Sequence, residues 1–311
     1  MPFFLGSATI TLIFYYIYIG SLNYPAPIQL VMPLTGSDRI FDAFLEEANM
    51  ASQQIGFGAT AIGKANYVRK AQYYQAFFAL SIGFERAAKI ALIADSLLEN
   101  NGNLLSYEEI KDYGHSLKEL LNATDEISVR RKFEEENHRL PRGQIHVAII
   151  DVLNQFAKTS RYFNIDYLTG SKYLDPKSDS LKLWHKNVTL KVIEMHYSKR
   201  KLEKDEVQAE FVDTIISPIT LSRHFMETGE YNNSIKDQAL SLARSNFSAP
   251  YVRMYVLQIA RFLAHVNSEL GYLAMQTKGK VKLPYFSDVF SDFFNDDRYF
   301  KTRKIWEREY L

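Results

Sequence analysis

The sequence predicts an almost entirely α-helical protein. Over residues 37–295, apolar side chains recur every three or four positions, which is the period of an α-helix. The 311 residues include only 14 Gly and 9 Pro, so long helices are favoured over a β fold with many turns. The sequence does not alternate between strand-like and helix-like segments, and we therefore expect no sheet of three or more strands.

The first two helices are predicted from their caps and their apolar stripes. Ser37 or Asp38 can cap a helix that ends near Gln54, because a polar side chain there can accept the first free N–H groups. A glycine-containing stretch, residues 56–64, follows this helix. A second, longer helix is predicted over about residues 65–99, where an Asn- and Gly-rich stop follows.

The next two helices are separated by a charged segment. Ser106 and Glu109 have the spacing of a capping box and predict a third helix that ends near Asn122. Residues 124–142 are highly charged and are interpreted as a solvated connection. A fourth helix is predicted over residues 143–160, where apolar residues again follow the helical period.

A polar stretch at residues 170–180 is the best internal boundary in the chain. It divides the helical region into a bundle of residues 37–170 and a second set of helices in residues 171–311. Helices in the second region are predicted over residues 181–204, 206–227, 233–246 and 249–276, with a short terminal element at 284–294.

Residues 1–36 contain no charged side chain and are treated separately. Segment 3–22 is nearly long enough to cross a membrane as a helix, so an N-terminal anchor is one interpretation. A second is a start upstream of the native one, because Met32 begins a stretch that leads directly into the first amphipathic helix. A third is a buried strand or hairpin, since residues 9–19 are mainly β-branched and aromatic.

Composition excludes several classes of function. The chain has no Cys, so disulfides, thiolate metal sites and cysteine nucleophiles are excluded, and the cytoplasm is the expected compartment unless the N-terminal segment anchors the chain. The formal net charge of +1 excludes a global basic field for nucleic acid. None of the 7 His lies three or four residues from another, so we predict no helix-borne metal pair and no cofactor.

Three short motifs occur in order between residues 76 and 166. The first places Glu85 four residues before Lys89, and the second is Gly-His-Ser-Leu-Lys-Glu-Leu from Gly114, with the histidine at 115. The third is an Arg-Tyr element that is followed by an Asp. These motifs resemble those of the HEPN superfamily of helical bundles, over about residues 65–170. The candidate contact residues for a substrate or partner are Glu85, Lys89, His115, Arg161, Tyr162 and Asp166.

The resemblance implies a HEPN-like bundle that acts in a prokaryotic stress or phage-defence system. It also implies a homodimer, a nucleotide or RNA partner and, in nuclease members, metal-independent RNA cleavage by an Arg and a His separated by a short stretch. Two such pairs occur here, Arg131 with His138 and Arg139 with His146, each with six intervening residues. We prefer the second pair, because His146 is expected on the solvent side of a helix start. In this pair Arg139 would bind phosphate and His146 would transfer a proton.

Each of these residues also has an ordinary structural interpretation. Glu85 and Lys89 have the spacing of a stabilising helix-surface pair, and Arg161 with Asp166 can clamp a helix end. Arg139 and His146 then belong to an exposed loop and a helix surface. The alternative function is a non-catalytic helical scaffold that binds a nucleotide or protein partner, and a membrane-tethered form of either is a third possibility.

Two further clusters of charge are open to two interpretations each. The basic run at residues 199–204 is either a solvated helix face or a contact for a phosphate backbone. Arg253, Arg261, His265 and Glu269 lie four or eight residues apart on one apolar helix, so they either line a polar seam or extend from a core helix to solvent.

The two interpretations in which segment 1–31 lies outside the folded core predict the effect of removing it. A chain that begins at Met32 is expected to express as a soluble protein with one cooperative unfolding transition, measured by circular dichroism. Aggregation of the shortened chain would instead place residues 1–31 in the core.

Overall fold

The structure is a computed structural model, and the residues it describes are 39–100, 102–103, 114–133, 135–172, 175 and 177–307. The predictions for residues 1–36 lie outside these residues, as do the first cap at Ser37 or Asp38 and the capping box at Ser106. Among the described helices, none is both long and apolar enough to cross a membrane.

The all-α fold class is confirmed. The helices are α1 Arg39–Ile62, α2 Ala71–Glu99, α3 Leu117–Arg131, α4 Gln144–Lys158, α5 Phe163–Thr169, α6 Ser180–Trp184, α7 Leu190–His196, α8 Lys199–Ile216, α9 Ile235–Gln276, α10 Phe286–Val289 and α11 Asp297–Thr302. Short 3₁₀ turns at Glu136–His138, Ser160–Tyr162 and Ser291–Phe294 connect some of them. In the described part of the chain, strands β1 His224–Phe225 and β2 Tyr231–Asn232 form one antiparallel hairpin and no larger sheet.

Helix α1 is longer than predicted, because the glycine-containing stretch continues it to Ile62. Its glycines serve close packing rather than a turn: a Cβ on Gly56 would collide with the backbone of Trp306, and one on Gly58 would collide with Leu80. Helix α2 begins at Ala71 instead of residue 65, since the side chain of Asn66 accepts hydrogen bonds from two following N–H groups and holds a turn.

Helix α3 corrects the boundaries predicted for the third helix and the charged connection. It continues from Leu117 to Arg131, so residues 124–131 are helical rather than a solvated loop. The reason is that the charges there are paired. Arg130 and Arg131 both form ion pairs with Asp95, a buried carboxylate on α2. A run of charge in the sequence therefore marks an interhelical contact.

The C-terminal helices also have boundaries that differ from the predicted ones. The predicted helix 181–204 is interrupted after His196, where the Ser198 hydroxyl caps α8 by accepting the N–H of Lys201. Helix α8 ends at Ile216, two residues before a proline, and the segment predicted to be helical up to residue 227 contains β1 instead. Residues 185–189 between α6 and α7 have π-helical hydrogen bonding.

The two helices predicted at 233–246 and 249–276 are one 42-residue helix, α9, which passes through Pro250. Packing overrides the helix-breaking tendency of the proline, since α9 contacts α1, α2, α3, α4, α7 and α8. Its buried Asn267 donates a hydrogen bond of 3.1 Å to the Ala87 carbonyl of α2. Helix α9 forms part of one hydrophobic core with helices from both sides of residue 170. The predicted division of the chain into two regions at residues 170–180 stays a prediction.

Polar side chains of α9 hold the C-terminal segment. Arg253 is only 3% exposed and donates a hydrogen bond of 3.0 Å to the Phe300 carbonyl, while Arg261 donates to the Asn295 carbonyl at 3.1 Å. These contacts form a polar seam between α9 and the C-terminal segment, which is the first of the two interpretations of the spacing of the arginines. Arg253 does not extend to solvent, because its Nε and Nη2 donate to the main-chain carbonyls of Phe300 and Lys301 at this packed contact.

The close contact of α1 with α2 gives a prediction for Gly83. A Cβ there would lie 2.7 Å from Ile55 Cγ1 and 2.9 Å from its backbone nitrogen. Gly83→Ala gains about 1 kcal/mol of helix propensity but must force the helices apart at a cost of about 1–3 kcal/mol. We expect a net loss of roughly 1 kcal/mol in the free energy of unfolding, measured in urea. Gln75→Ala, on an exposed position of α2, is the control and should change stability by less than about 0.5 kcal/mol.

Candidate nucleotide-binding surface

Three of the residues predicted from sequence lie together on α2 and the segment before α3. Lys89 Nζ lies 2.8 Å from Glu85 Oε1, and His115 Nδ1 lies 3.0 Å from the same oxygen. Glu85 is largely buried, with 19% of its side chain exposed, whereas 77% of the His115 side chain is exposed. One carboxylate therefore holds two nitrogen donors at the rim of the core.

The position of His115 differs from the predicted one. It does not lie inside an amphipathic helix but in the turn before α3, where Gly114 has a positive φ of 54°. Glycine adopts this left-handed conformation without a steric cost, and the turn directs the chain into α3. The two leucines of the motif, Leu117 and Leu120, are buried in the core and fix the start of the helix beneath the turn.

Arg161 lies on the same side of α2 as this carboxylate cluster. Its guanidinium carbon is 4.6 Å from the centre of the Phe78 ring, and Phe78 lies seven residues before Glu85, two turns along one face of α2. Phe156 of α4 packs edge-on against Phe78 at 5.1 Å. Arg161 therefore stacks on an aromatic ring and does not use Asp166 as a helix clamp. Its Nε is buried and has no hydrogen-bond partner among the described residues.

Two lysines that were not among the candidate contact residues complete the surface. Lys158, at the end of α4, donates a hydrogen bond of 2.9 Å to the Ser116 hydroxyl, next to His115. Lys118 pairs with Asp151 at 2.9 Å, and both side chains are about half exposed. We call the following residues the Glu85 surface: Phe78, Glu85, Lys89, His115, Lys118, Lys158 and Arg161.

Tyr162 and Asp166 flank this surface on the 3₁₀ turn and α5. The Tyr162 side chain is exposed, and α5 has no buried residue. Asp166 contributes its main-chain carbonyl, which accepts the Ser171 N–H at 2.9 Å and ends α5. The six predicted contact residues thus divide into a contacting trio around Glu85, a stacked arginine and two neighbours on an exposed segment.

Arg139 has an internal partner. Its Nε and Nη2 donate to the two carboxylate oxygens of Asp125 at 2.8 and 3.1 Å, and Arg142 adds a third bond of 3.0 Å. Asp125 is buried and also accepts the Leu140 N–H. Burial by itself would raise the pKa of Asp125, but these hydrogen bonds outweigh it and lower that pKa below its ordinary value.

His146 is buried, which corrects the prediction that it faces solvent at the start of α4. Its Nε2 donates a hydrogen bond of 2.6 Å to Gln258 Oε1, because the amide nitrogen of Gln258 is occupied in donating to Asp297. Its Nδ1 is buried without a partner in the described part of the chain. Burial lowers the pKa of His146, so the ring is neutral at pH 7. His146 is buried by tertiary packing, because α9 covers this face of α4.

The other Arg–His match also separates into different contacts. Arg131 pairs with Asp95 on α2, whereas His138 lies in the 3₁₀ turn with its ring 5.1 Å from that of His265. The sequence spacing therefore does not correspond to a direct contact in either pair.

A cavity of about 320 Å³ lies between the π-helical segment, the β hairpin and the first turns of α9. Its lining includes Glu227, Glu230, Asp237 and a single guanidinium, that of Arg244. Burial raises the pKa of Glu227, and burial lowers the pKa of His185, which also lines the cavity. The excess of carboxylates suits a small polar or cationic molecule better than a phosphate. No motif in the sequence pointed to this cavity, since its walls come from three separate segments.

No family model matches the chain, and no curated protein or solved structure matches it either. The resemblance to the HEPN superfamily stays a prediction that rests on the motifs around Glu85, His115 and Arg161.

The buried carboxylate of Asp125 gives a prediction with a defined pH dependence. Asp125→Asn weakens the ionic contacts to Arg139 and Arg142, so the free energy of unfolding at pH 7 should fall by about 1–3 kcal/mol. Because the folded-state pKa of Asp125 is lowered, its contribution is present above the unfolded pKa and is lost as the pH falls through the folded value.

The measurement is urea unfolding of both proteins at pH 7 and at about pH 3, where the difference between them should shrink. Asp151→Asn is the matched control, since it removes an exposed ion pair and should change stability by less than about 1 kcal/mol. A difference for Asp125→Asn that is the same at both pH values would contradict the assignment.

Proposed function

We propose that this chain is a HEPN-like, non-catalytic helical protein that binds a phosphate-bearing nucleotide, free or within an RNA strand, on the Glu85 surface. The observation that carries the proposal is Arg161, whose guanidinium lies over the Phe78 ring and pairs with no carboxylate of the described residues. Such a planar group can donate two parallel hydrogen bonds to phosphate oxygens.

The charge and shape of the surface support a phosphate ligand. Lys89, Lys118, Lys158 and Arg161 provide four positive charges, against the carboxylates of Glu85 and of Asp151, which pairs with Lys118. The adjacent Tyr162 is exposed and offers a ring on which a base can stack. The cavity beside Glu227 is lined by more carboxylates than positive charges and is therefore less suited to a phosphate.

The contacts of the proposed nuclease pair favour binding over cleavage. A general acid or base must reach the proton that it transfers, but His146 Nε2 is bound to Gln258 and its Nδ1 is buried. Arg139 directs two of its nitrogens to Asp125, and its side chain is about half exposed. A metal-independent ribonuclease that uses this pair would require His146 to leave its partner, and it stays the alternative to be tested.

The biological setting and the oligomeric state are part of the same proposal. A role in stress or phage defence follows from the HEPN resemblance alone. For the homodimer, the supporting feature is α8, on which Val207, Phe211 and Ile215 form an exposed apolar stripe at a spacing of four residues.

In the basic first turn of α8, Lys201 is bound to the buried Asp205.

The test measures binding of a fluorescent mononucleotide and of a labelled single-stranded RNA by anisotropy. Arg161→Ala should weaken binding roughly 10–100-fold, since it removes a charged hydrogen bond and the stacked guanidinium. Arg161→Lys keeps the charge but loses the planar group, so an intermediate loss is expected. Lys304→Ala is the matched control, because it removes one exposed positive charge outside the Glu85 surface.

Cleavage of the same RNA is followed in parallel, with Arg139→Gln and His146→Asn as variants. Binding without cleavage supports the proposal. Cleavage that either variant abolishes would return the chain to the ribonuclease alternative. If the wild-type protein binds neither ligand, or if Arg161→Ala and Lys304→Ala bind equally well, the Glu85 surface is not a nucleotide site.

A further inference from the structure

A second cluster of potential ligands lies between the 3₁₀ turn at Glu136–His138 and α9. One carboxylate oxygen of Glu135 and one ring nitrogen each of His138 and His265 all lie within 4.8 Å of one another. Two imidazoles and one carboxylate therefore converge on one point. Glu269, one turn after His265 on α9, lies beside this group, with its Oε1 3.5 Å from His138 Nε2.

The burial of His138 points to a missing ligand. This side chain is 4% exposed, and neither of its ring nitrogens has a hydrogen-bond partner among the described residues. The contact of 3.5 Å to Glu269 lacks hydrogen-bond geometry. A buried imidazole without partners is unfavourable, since the ring has lost its hydrogen bonds to water and gained none. An ion at this point would satisfy one of its nitrogens.

Aromatic contacts hold the second histidine in a fixed orientation. The His265 ring lies edge-to-face against His138 and packs on Phe294 at 4.7 Å, so rings contact it on two sides.

We infer that Glu135, His138 and His265 bind a divalent transition-metal ion of the Zn²⁺ type. Imidazole nitrogens favour Zn²⁺ over Mg²⁺ or Ca²⁺, which prefer oxygen ligands, and the carboxylate of Glu135 offsets part of the charge of the ion. Ligand atoms on one Zn²⁺ lie roughly 3.3 Å apart, so the cluster must contract, which the exposed Glu135 allows.

The proposed ion would connect two parts of the fold. Glu135 and His138 lie shortly after α3, while His265 belongs to the central part of α9. A bound ion would hold these two segments together and stabilise the fold. The proposed site differs from the prediction of no metal. It was missed because its histidines come from different segments, where spacing along one helix is uninformative.

The experiment uses the full chain, freed of any histidine tag, stripped with EDTA and then dialysed against ZnCl₂. We expect one Zn²⁺ per chain by elemental analysis, and a rise in Tm of roughly 5–10 °C when free Zn²⁺ is about 100-fold above its Kd. Co²⁺ in place of Zn²⁺ should give the visible absorption of a tetrahedral complex.

Glu135→Gln tests the site without disturbing a buried residue, and His265→Ala removes a second ligand. Each should weaken Zn²⁺ binding by roughly 10–100-fold or more. Glu136→Gln, the same change on the exposed neighbouring residue, and His224→Ala, at an exposed histidine elsewhere, should leave binding unchanged. Binding that survives both site variants, or a wild-type chain that takes up no Zn²⁺, overturns the inference.

Discussion

The fold depends on the burial of α2, which α1 and α9 cover along most of its surface. Close approach is possible because Gly83 lets the backbone at Ile55 come within van der Waals distance of α2, and Asn267 of α9 bonds to the Ala87 carbonyl from another side. A helix covered in this way can present chemistry to solvent only along a remaining strip. Phe78, Glu85 and Lys89 lie on that strip, and the candidate surface is therefore where the packing leaves α2 accessible.

Buried carboxylates explain why some arginines are free to bind a ligand and others are not. Asp95 and Asp125 lie within the bundle and each accepts bonds from two arginines, since a buried negative charge is tolerated only when it is paired. These pairs fasten the charged segment around α3 to its neighbours. Arg161 pairs with no carboxylate of the described residues and rests on an aromatic ring, which leaves its positive charge for a ligand.

Helix α9 links the remaining polar features. Over about three turns it supplies Arg253 to the C-terminal segment, Gln258 to His146, and His265 to the proposed metal site. Polar side chains on one buried helix require fixed partners, and each partner comes from a different part of the chain. Occupation of the metal site would add a cross-link to this arrangement without involving the Glu85 surface, so the two proposals stand independently.

The sequence by itself determined the all-α class and the approximate positions of the long helices, because helical periodicity is a local property of the chain. It also identified the contact of Glu85 with Lys89, which a spacing of four residues produces on any helix. Tertiary structure decided the rest. Packing continued α1 past its glycines and α9 through Pro250, buried His146 under Gln258, and brought His138 to His265. These outcomes depend on which distant segment packs over a residue, and a local sequence pattern does not predict that packing.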